Sequence, residues 1–226
     1  MNTPDEYNNW QQKRSTGLIK VGQGFTMKGT GTTQSSQNYV FNGKPNNGVI
    51  EHSIAANNLS LMGNAYPSAF DANKFINSNI TSLTGVLYFW EHWGGESHVL
   101  KEYEGGYATL SLAGGVKAVS DPDVSQNGEG TITPGRYIPV GQGFFVKGSA
   151  IGGSVKFENP QRVFKRESII TDNSTFFKEG TENQNDNTSQ IQRVYFEFTS
   201  PNGTVRQLLL GIKEGLTEGI DVGYDG

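Results

Sequence analysis

Short runs of β-branched and aromatic residues, each bounded by glycine, asparagine or proline, constrain the fold of this chain most. The clearest runs are 39–41, 86–90, 144–146, 154–157, 194–198 and 207–212. Runs of this length, separated by turn-forming residues, are typical of β-strands. Asn-Gly and Pro-Gly pairs stand between them at 42–43, 47–48, 127–128, 134–135 and 202–203. The sequence therefore predicts an all-β chain, an antiparallel β-sandwich that is jelly-roll-like, with long polar loops.

Helical signal is confined to residues 71–78. Asp71 can cap the free backbone N–H groups of a first turn, and Ala72, Phe75 and Ile76 fall on one helical face. We therefore expect one short helix near 71–78.

The clearest predicted hairpin joins 194–198 to 207–212 through Pro201, Asn202 and Gly203. Apolar and polar residues alternate in its first strand, as in a half-buried sheet. The polar segment 169–190 before it is predicted to be a long surface loop.

A nine-residue segment occurs twice, as VGQGFTMKG at 21–29 and as VGQGFFVKG at 140–148. Each copy leads through a Gly/Ser/Thr linker into an aromatic run, which predicts a hairpin in each unit. The Gly-Gln-Gly step predicts a backbone kink before a core strand, because glycine adopts positive φ without cost. Far less sequence precedes the first copy. Residues 1–56 are therefore predicted to be a first, N-terminally truncated β unit, and 57–226 the main β-sandwich, both packed as one globule.

Charge and cysteine content exclude several classes of protein. The 22 acidic and 18 basic residues are spread along the chain without a basic stripe, so we expect no nucleic-acid partner. The absence of cysteine excludes disulfides, thiol catalysis and Cys-ligated metal. No apolar run approaches the roughly 20 residues that cross a bilayer, so we expect no membrane insertion.

The segment 88–98 holds two of the three tryptophans and two of the three histidines. If 86–90 is a strand, Leu87 and Phe89 face one way, and Tyr88 and Trp90 the other. Indole rings at the end of such a strand can stack on the C–H faces of sugars, while carboxylates bond the hydroxyl groups. The alternative is a set of core aromatic residues followed by a solvated loop. The candidate ligand-binding residues are Tyr88, Trp90, Glu91, His92, Trp93 and Glu96.

A second candidate site has the alternating oxygen ligands that begin a calcium loop. Its residues are Asp121, Asp123, Ser125, Asn127 and Glu129. The pattern departs from an EF-hand, because Gln126 stands at the glycine position and Ile132 at the bidentate glutamate position. A structural calcium ion is therefore the only cofactor predicted, with Asp221 and Asp225 as a further carboxylate pair. A zinc site of His92, Glu96 and His98 is an alternative whose spacing matches no strong motif.

No pattern of residues indicates catalysis. The chain has no Gly-x-Ser-x-Gly elbow and no cysteine nucleophile, and no segment nominates a pair of carboxylates for glycoside hydrolysis. We therefore predict no catalytic residues and no enzyme activity, with a hydrolase as the least favoured alternative.

Five segments, taken together, resemble a known family of modules. They are 61–76, 85–92, 106–110, 138–146 and 211–226. The set is similar to the module that precedes the C-terminal sorting domain in large secreted surface proteins of Bacteroidetes, especially flavobacteria. One departure is Ala65, where that family's Asn-Pro-Tyr-Pro motif has proline. The resemblance implies export through the type IX secretion system, with the export signal and the sorting domain outside this sequence.

These observations lead to two main functional hypotheses. The first is a non-catalytic structural or adhesive β-sandwich module of an exported bacterial cell-surface protein, with neighbouring domains of the same protein as its partners. The second is a carbohydrate-binding module that holds extracellular polysaccharide on exposed aromatic residues around Trp90 and Trp93. Exposure of the two indoles distinguishes the hypotheses.

Overall fold

The computed structural model describes residues 10–14, 16–27, 38–94, 99–120, 124–125, 128–165, 191–201 and 205–225. Over these residues the chain forms antiparallel β-sheets and one α-helix, which confirms the predicted all-β, sandwich-like fold. The strands are β1 (Ile50–Ile54), β2 (Leu59–Gly63), β3 (Ala69–Asp71), β4 (Leu83–Gly94), β5 (Glu104–Leu110), β6 (Gly115–Ser120), β7 (Tyr137–Ile138), β8 (Gly143–Gly148), β9 (Gly153–Phe157), β10 (Arg162–Val163), β11 (Gln192–Thr199) and β12 (Val205–Ile212); the helix is α1 (Ala72–Ser78). The predicted polar loop 169–190 lies outside the described residues.

The largest sheet has five antiparallel strands in the order β2-β8-β4-β5-β6. Three smaller sheets, β1-β9, β10-β3-β7 and β11-β12, complete the described strands. One face of the large sheet, helix α1 and the strands β1, β3 and β9 contribute to a single apolar core. The largest aromatic residues there, each at most 1% exposed, are Phe70, Phe75, Phe89, Phe144 and Phe157. Their neighbouring ring centroids lie 5.0 to 6.0 Å apart, the range in which aromatic pairs stabilise one another.

Helix α1 forms as the sequence predicts. The Asp71 carboxylate accepts hydrogen bonds from the backbone N–H groups of Asn73 and Lys74, which otherwise have no partner in the first turn. The same carboxylate binds the Arg136 guanidinium through two hydrogen bonds, Nε–Oδ1 at 3.0 Å and Nη2–Oδ2 at 2.8 Å. Because Asp71 is buried, this double contact offsets the cost of removing its charge from water.

The two copies of the repeat lie on opposite sides of β2. Gln23 of the first copy bridges to Met62, and Phe144 of the second copy pairs with the same residue from β8. Both copies turn at the first glycine, where Gly22 and Gly141 have φ values of 79° and 76°. The core strand predicted after the turn is present in the second copy as β8, whereas residues 24–27 of the first copy form no strand. The predicted hairpin is wrong for the second copy: β8 pairs with β2 and β4, whereas β9 pairs with β1 in a different sheet. In the first copy, residues 28–37 lie outside the described residues.

Strands β11 and β12 form the predicted hairpin, in register from Gln192 opposite Ile212 to Thr199 opposite Val205. In a half-buried sheet the apolar side faces the body of the protein. In this hairpin the apolar side faces solvent. Phe196, Phe198 and the other apolar residues on the same side are exposed, while Tyr195 on the opposite side is half-buried. Among the described residues, no helix is long and apolar enough to cross a membrane.

Candidate functional site

The candidate site is built on β4, whose residues alternate between the core and the opposite face of the large sheet. Leu87 and Phe89 are fully buried, Tyr88 is half-buried, and Trp90 is 43% exposed. This confirms the division of the four side chains that the alternation predicts. Trp90 is therefore placed on the face of the sheet that points away from the aromatic core.

Strand β4 continues past Trp90 to Gly94, and this extension separates the predicted platform into two parts. His92 is exposed on the side of Trp90, whereas Glu91 is buried and Trp93 is half-buried against the core. Glycines leave space for the Trp93 indole: a Cβ atom on Gly106 would lie 3.2 Å from its Cη2. Trp90 and Trp93 consequently do not form one surface, which corrects the platform expected around both indoles.

Glu91 anchors a neighbouring segment and is not directed toward solvent. Its carboxylate accepts hydrogen bonds from the Thr131 backbone N–H at 2.7 Å, the Thr131 hydroxyl at 2.8 Å and the Ile132 backbone N–H at 3.2 Å. These contacts join residues 131 and 132 to β4. A carboxylate held in this way is not placed to bond the hydroxyl groups of a sugar, so its predicted role as a ligand is corrected.

The exposed side of β4 belongs to a longer set of rings that we call the aromatic row. Consecutive ring centroids are 4.9 to 6.4 Å apart. In order of contact the members are Trp10, Phe145, Tyr107, Trp90, Tyr103 and His92. The row extends across β8, β4 and β5 on the face of the large sheet opposite the core.

Pairing between neighbouring strands and a glycine at position 105 allow the rings of the row to contact one another. Trp90 lies directly opposite Tyr107 on β5, and Tyr88 lies opposite Phe145 on β8. Side chains in such cross-strand pairs stabilise each other through close contact. A Cβ atom on Gly105 would lie 2.8 Å from Tyr103 Cε1 and 3.1 Å from Trp90 Cζ2. The absence of a side chain at this position therefore allows the Tyr103 and Trp90 rings to stack.

The row combines exposed ring area with neutral hydroxyl groups. Trp90, Tyr107 and Trp10 are each exposed by 38 to 43%. Burial raises the pKa of Tyr107 and of Tyr103 above the ordinary value of 10.0, and at Tyr103 a hydrogen bond from the Trp90 side chain acts in the opposite direction. Both phenols are thus uncharged near neutral pH and can donate or accept hydrogen bonds.

The sequence matches a family described as "Domain of unknown function (DUF8693)" over residues 1–226. The chain belongs to this family. Comparison with curated proteins and with solved structures gave no match. The function of this DUF8693 domain is therefore inferred from its geometry.

The predicted metal sites fall largely outside the described residues of the DUF8693 domain. Of the calcium candidates only Ser125 and Glu129 are described, while Asp121, Asp123 and Asn127 are not. The Ser125 hydroxyl donates a hydrogen bond to the Tyr103 carbonyl oxygen at 2.6 Å. The zinc candidates Glu96 and His98 also lie outside the description. Within the described ranges, no group of three or more His, Asp or Glu side chains is arranged to hold a metal ion.

Asp221 and Asp225, the further carboxylate pair, serve as caps of C-terminal turns. Asp221 accepts hydrogen bonds from the Thr217 backbone N–H at 2.6 Å and from its hydroxyl at 3.2 Å. Asp225 accepts one from the Asp221 backbone N–H at 2.7 Å. Each carboxylate thus already has a local partner that explains its position.

Four members of the row were not among the predicted site residues: Trp10, Tyr103, Tyr107 and Phe145. Tyr107 and Phe145 carried a usable signal, because each lies between two buried residues in its strand. Trp10 and Tyr103 lie outside the strands, and their proximity to the row depends on how distant parts of the chain pack.

Proposed function

We propose that this DUF8693 domain is a non-catalytic adhesive module of an exported bacterial cell-surface protein, and that it binds extracellular polysaccharide on the aromatic row. The observation that supports the proposal is the row itself, a series of six contacting rings of which Trp10, Trp90, His92 and Tyr107 are exposed. Neighbouring domains of the same protein are the other partners that we propose, since the module would also space and present them. Export through the type IX secretion system is also part of the proposal, and its only support is the sequence resemblance to modules of secreted Bacteroidetes proteins.

Sugar chemistry fits this surface. A pyranose ring presents C–H groups on its faces and hydroxyl groups at its rim, so an aromatic ring can cover the face while polar groups bond the rim. Trp90 and Tyr107 offer exposed ring area, and the Tyr107 and Tyr103 hydroxyls are neutral donors and acceptors nearby. Exposed members of the row lie on β4, on β5 and before β1, and this extent favours an extended chain over a single monosaccharide.

The non-catalytic part of the proposal is supported by the engagement of the buried polar groups. Asp71 binds Arg136 and caps α1, and Glu91 holds Thr131 and Ile132. His52, which is also buried, has Nε2 at 2.6 Å from the Val21 carbonyl oxygen. These side chains have structural partners and do not converge on a common point of the exposed face.

Affinity electrophoresis tests the proposal. The purified chain is run through gels containing hydroxyethyl cellulose, xylan, galactomannan or laminarin, alongside Trp90→Ala, Tyr107→Ala and a control. Phe164→Ala is the matched control, because Phe164 is an aromatic residue outside the row and is 89% exposed.

We expect at least one polysaccharide to retard the wild type and Phe164→Ala equally. Removal of Trp90 or Tyr107 should weaken binding at least about tenfold, because exposed aromatic anchors dominate recognition at such surfaces. Equal mobility of all four proteins in every gel would contradict the proposed function.

A further inference from the structure

The β11–β12 hairpin exposes a second apolar surface, distinct from the aromatic row. Six large apolar side chains occupy its outer side and form cross-strand neighbours, such as Val194 opposite Leu210 and Phe196 opposite Leu208. Their exposed fractions range from 40 to 67%. We call this surface the hairpin face; it consists of Val194, Phe196, Phe198, Leu208, Leu210 and Ile212.

Polar contacts on the other side of the hairpin fix its orientation. The Arg193 guanidinium donates to the Ala113 carbonyl oxygen, and the Tyr195 hydroxyl donates to that of Gly115 at 3.3 Å. Further along β6, the Lys117 backbone N–H donates to the Gln207 side-chain carbonyl oxygen at 3.4 Å. The last two bonds satisfy backbone groups of the edge strand β6, which would otherwise be open to pairing. The hairpin cannot turn its apolar side inward without losing them.

The area of the hairpin face is large for a surface left in water. The exposed fractions amount to about 600 Å² of apolar surface per chain, the upper limit for the largest patch on a typical monomer. Two such faces in contact would bury about 1,200 Å², where the range of specific protein interfaces begins.

The distribution of charge favours an apolar occupant such as a second copy of this chain. Arg206 lies opposite Phe198 at one end of the hairpin face, and its Nη2 donates to the Ser120 carbonyl oxygen at 3.2 Å. The middle of the face carries no charged residue, so two copies can meet there without repulsion between like charges.

We propose that the hairpin face is the contact between two copies of this chain, related by a twofold axis. A twofold contact requires the same surface on both partners, and an apolar face whose middle carries no charge meets that requirement. The proposal does not depend on the polysaccharide-binding function. If both hold, the dimer carries two aromatic rows, and a polymeric ligand could engage them together with higher avidity.

Sedimentation velocity of the 226-residue chain over a wide concentration range tests this contact. The variants are Phe196→Lys and Leu208→Lys, which place a charge in the middle of the face at exposed positions. Ile151→Lys is the control, because Ile151 is an exposed apolar residue on a turn elsewhere, 84% exposed. Circular dichroism and thermal unfolding establish whether each variant is folded.

We expect a concentration-dependent dimer for the wild type and for Ile151→Lys. Each variant in the face should weaken association at least about 100-fold while the unfolding temperature of its monomer stays unchanged. A wild-type protein that is monomeric at every concentration would overturn the proposal, and so would a dimer that neither substitution affects. A monomer whose unfolding temperature falls in Phe196→Lys would also overturn it, because the face would then be covered by the same chain.

Discussion

The two sides of strand β4 differ in what their side chains contact. On the inner side, Leu87 and Phe89 are fully buried and Glu91 holds a neighbouring segment by hydrogen bonds. On the outer side, Trp90 and His92 are exposed and contact other rings of the aromatic row. Because adjacent side chains point to opposite faces, the outer residues can change without loss of the core.

The largest change in the free energy of unfolding is expected from a substitution that creates a cavity on the inner side of β4. Phe89→Ala removes a fully buried ring next to Phe144 and should lower the free energy of unfolding by about 3–5 kcal/mol. Chemical denaturation measures this free energy. Trp90→Ala on the outer side is the control, and its free energy of unfolding should fall by no more than about 1 kcal/mol. Similar losses for both variants would remove the distinction between the two sides.

Loss of the buried carboxylate should have the next largest effect. Glu91→Ala leaves the Thr131 and Ile132 backbone N–H groups without their acceptor, at a cost of about 1–3 kcal/mol in the free energy of unfolding. Glu91→Gln keeps one acceptor oxygen and should fall between the wild type and Glu91→Ala. Glu102→Ala on the surface is the control and should be neutral. A neutral Glu91→Ala would contradict the anchoring role.

A methyl group introduced beneath the row should alter recognition more than stability. In Gly105→Ala the new Cβ is too close to Tyr103, so we expect the Tyr103 ring to move away from Trp90. Polysaccharide affinity should fall several-fold, with a change in tryptophan emission. Gly43→Ala, where a Cβ would meet no atom within 4 Å, is the control. Unchanged affinity in Gly105→Ala would show that the stacking of Tyr103 on Trp90 does not matter for binding.

The smallest predicted effect is that of pH on stability and on polysaccharide binding. Burial raises the pKa of Tyr88, Tyr103 and Tyr107 from 10.0, so the folded chain retains phenol protons that the unfolded chain releases. The stability contributed by these groups is fully present below pH 10 and is lost as the pH rises through their folded pKa values. Ionisation of these tyrosines should therefore leave polysaccharide binding unchanged up to about pH 9. The phenolate absorbance that Tyr107→Phe removes should appear only above pH 10 in the folded protein, and its appearance at pH 9 would contradict the raised pKa of Tyr107.

Local patterns in the sequence predicted much of the fold, but the site was predicted only in part. The strand runs, the capped helix at Asp71 and the positive φ of Gly22 and Gly141 follow from chemistry within a few residues. The predicted strand at 86–90 was too short, because the residues after Trp90 are typical of a loop. Glu91 is accommodated inside by Thr131, a contact between residues 40 positions apart that no local pattern reveals.

The hairpin shows a second reason why prediction from sequence is incomplete. Alternation indicates which side chains share a face, and it did so correctly for β11. Which face meets the rest of the protein depends on the partner surface. Here the partner is the edge of β6 together with Ala113 just before it, whose backbone groups bind Arg193, Tyr195 and Gln207, so the polar side faces inward.

Fluorescence of Trp90 tests the central claim most directly. A variant with Trp10→Phe and Trp93→Phe retains Trp90 as its only indole and keeps aromatic rings at both other positions. Its emission is titrated with each polysaccharide, and acrylamide quenching is measured with and without the polymer. We predict a saturable shift in emission and protection from acrylamide with at least one polysaccharide. A Trp90 that is quenched equally well in the presence of every polymer, with unchanged emission, would contradict recognition on the aromatic row.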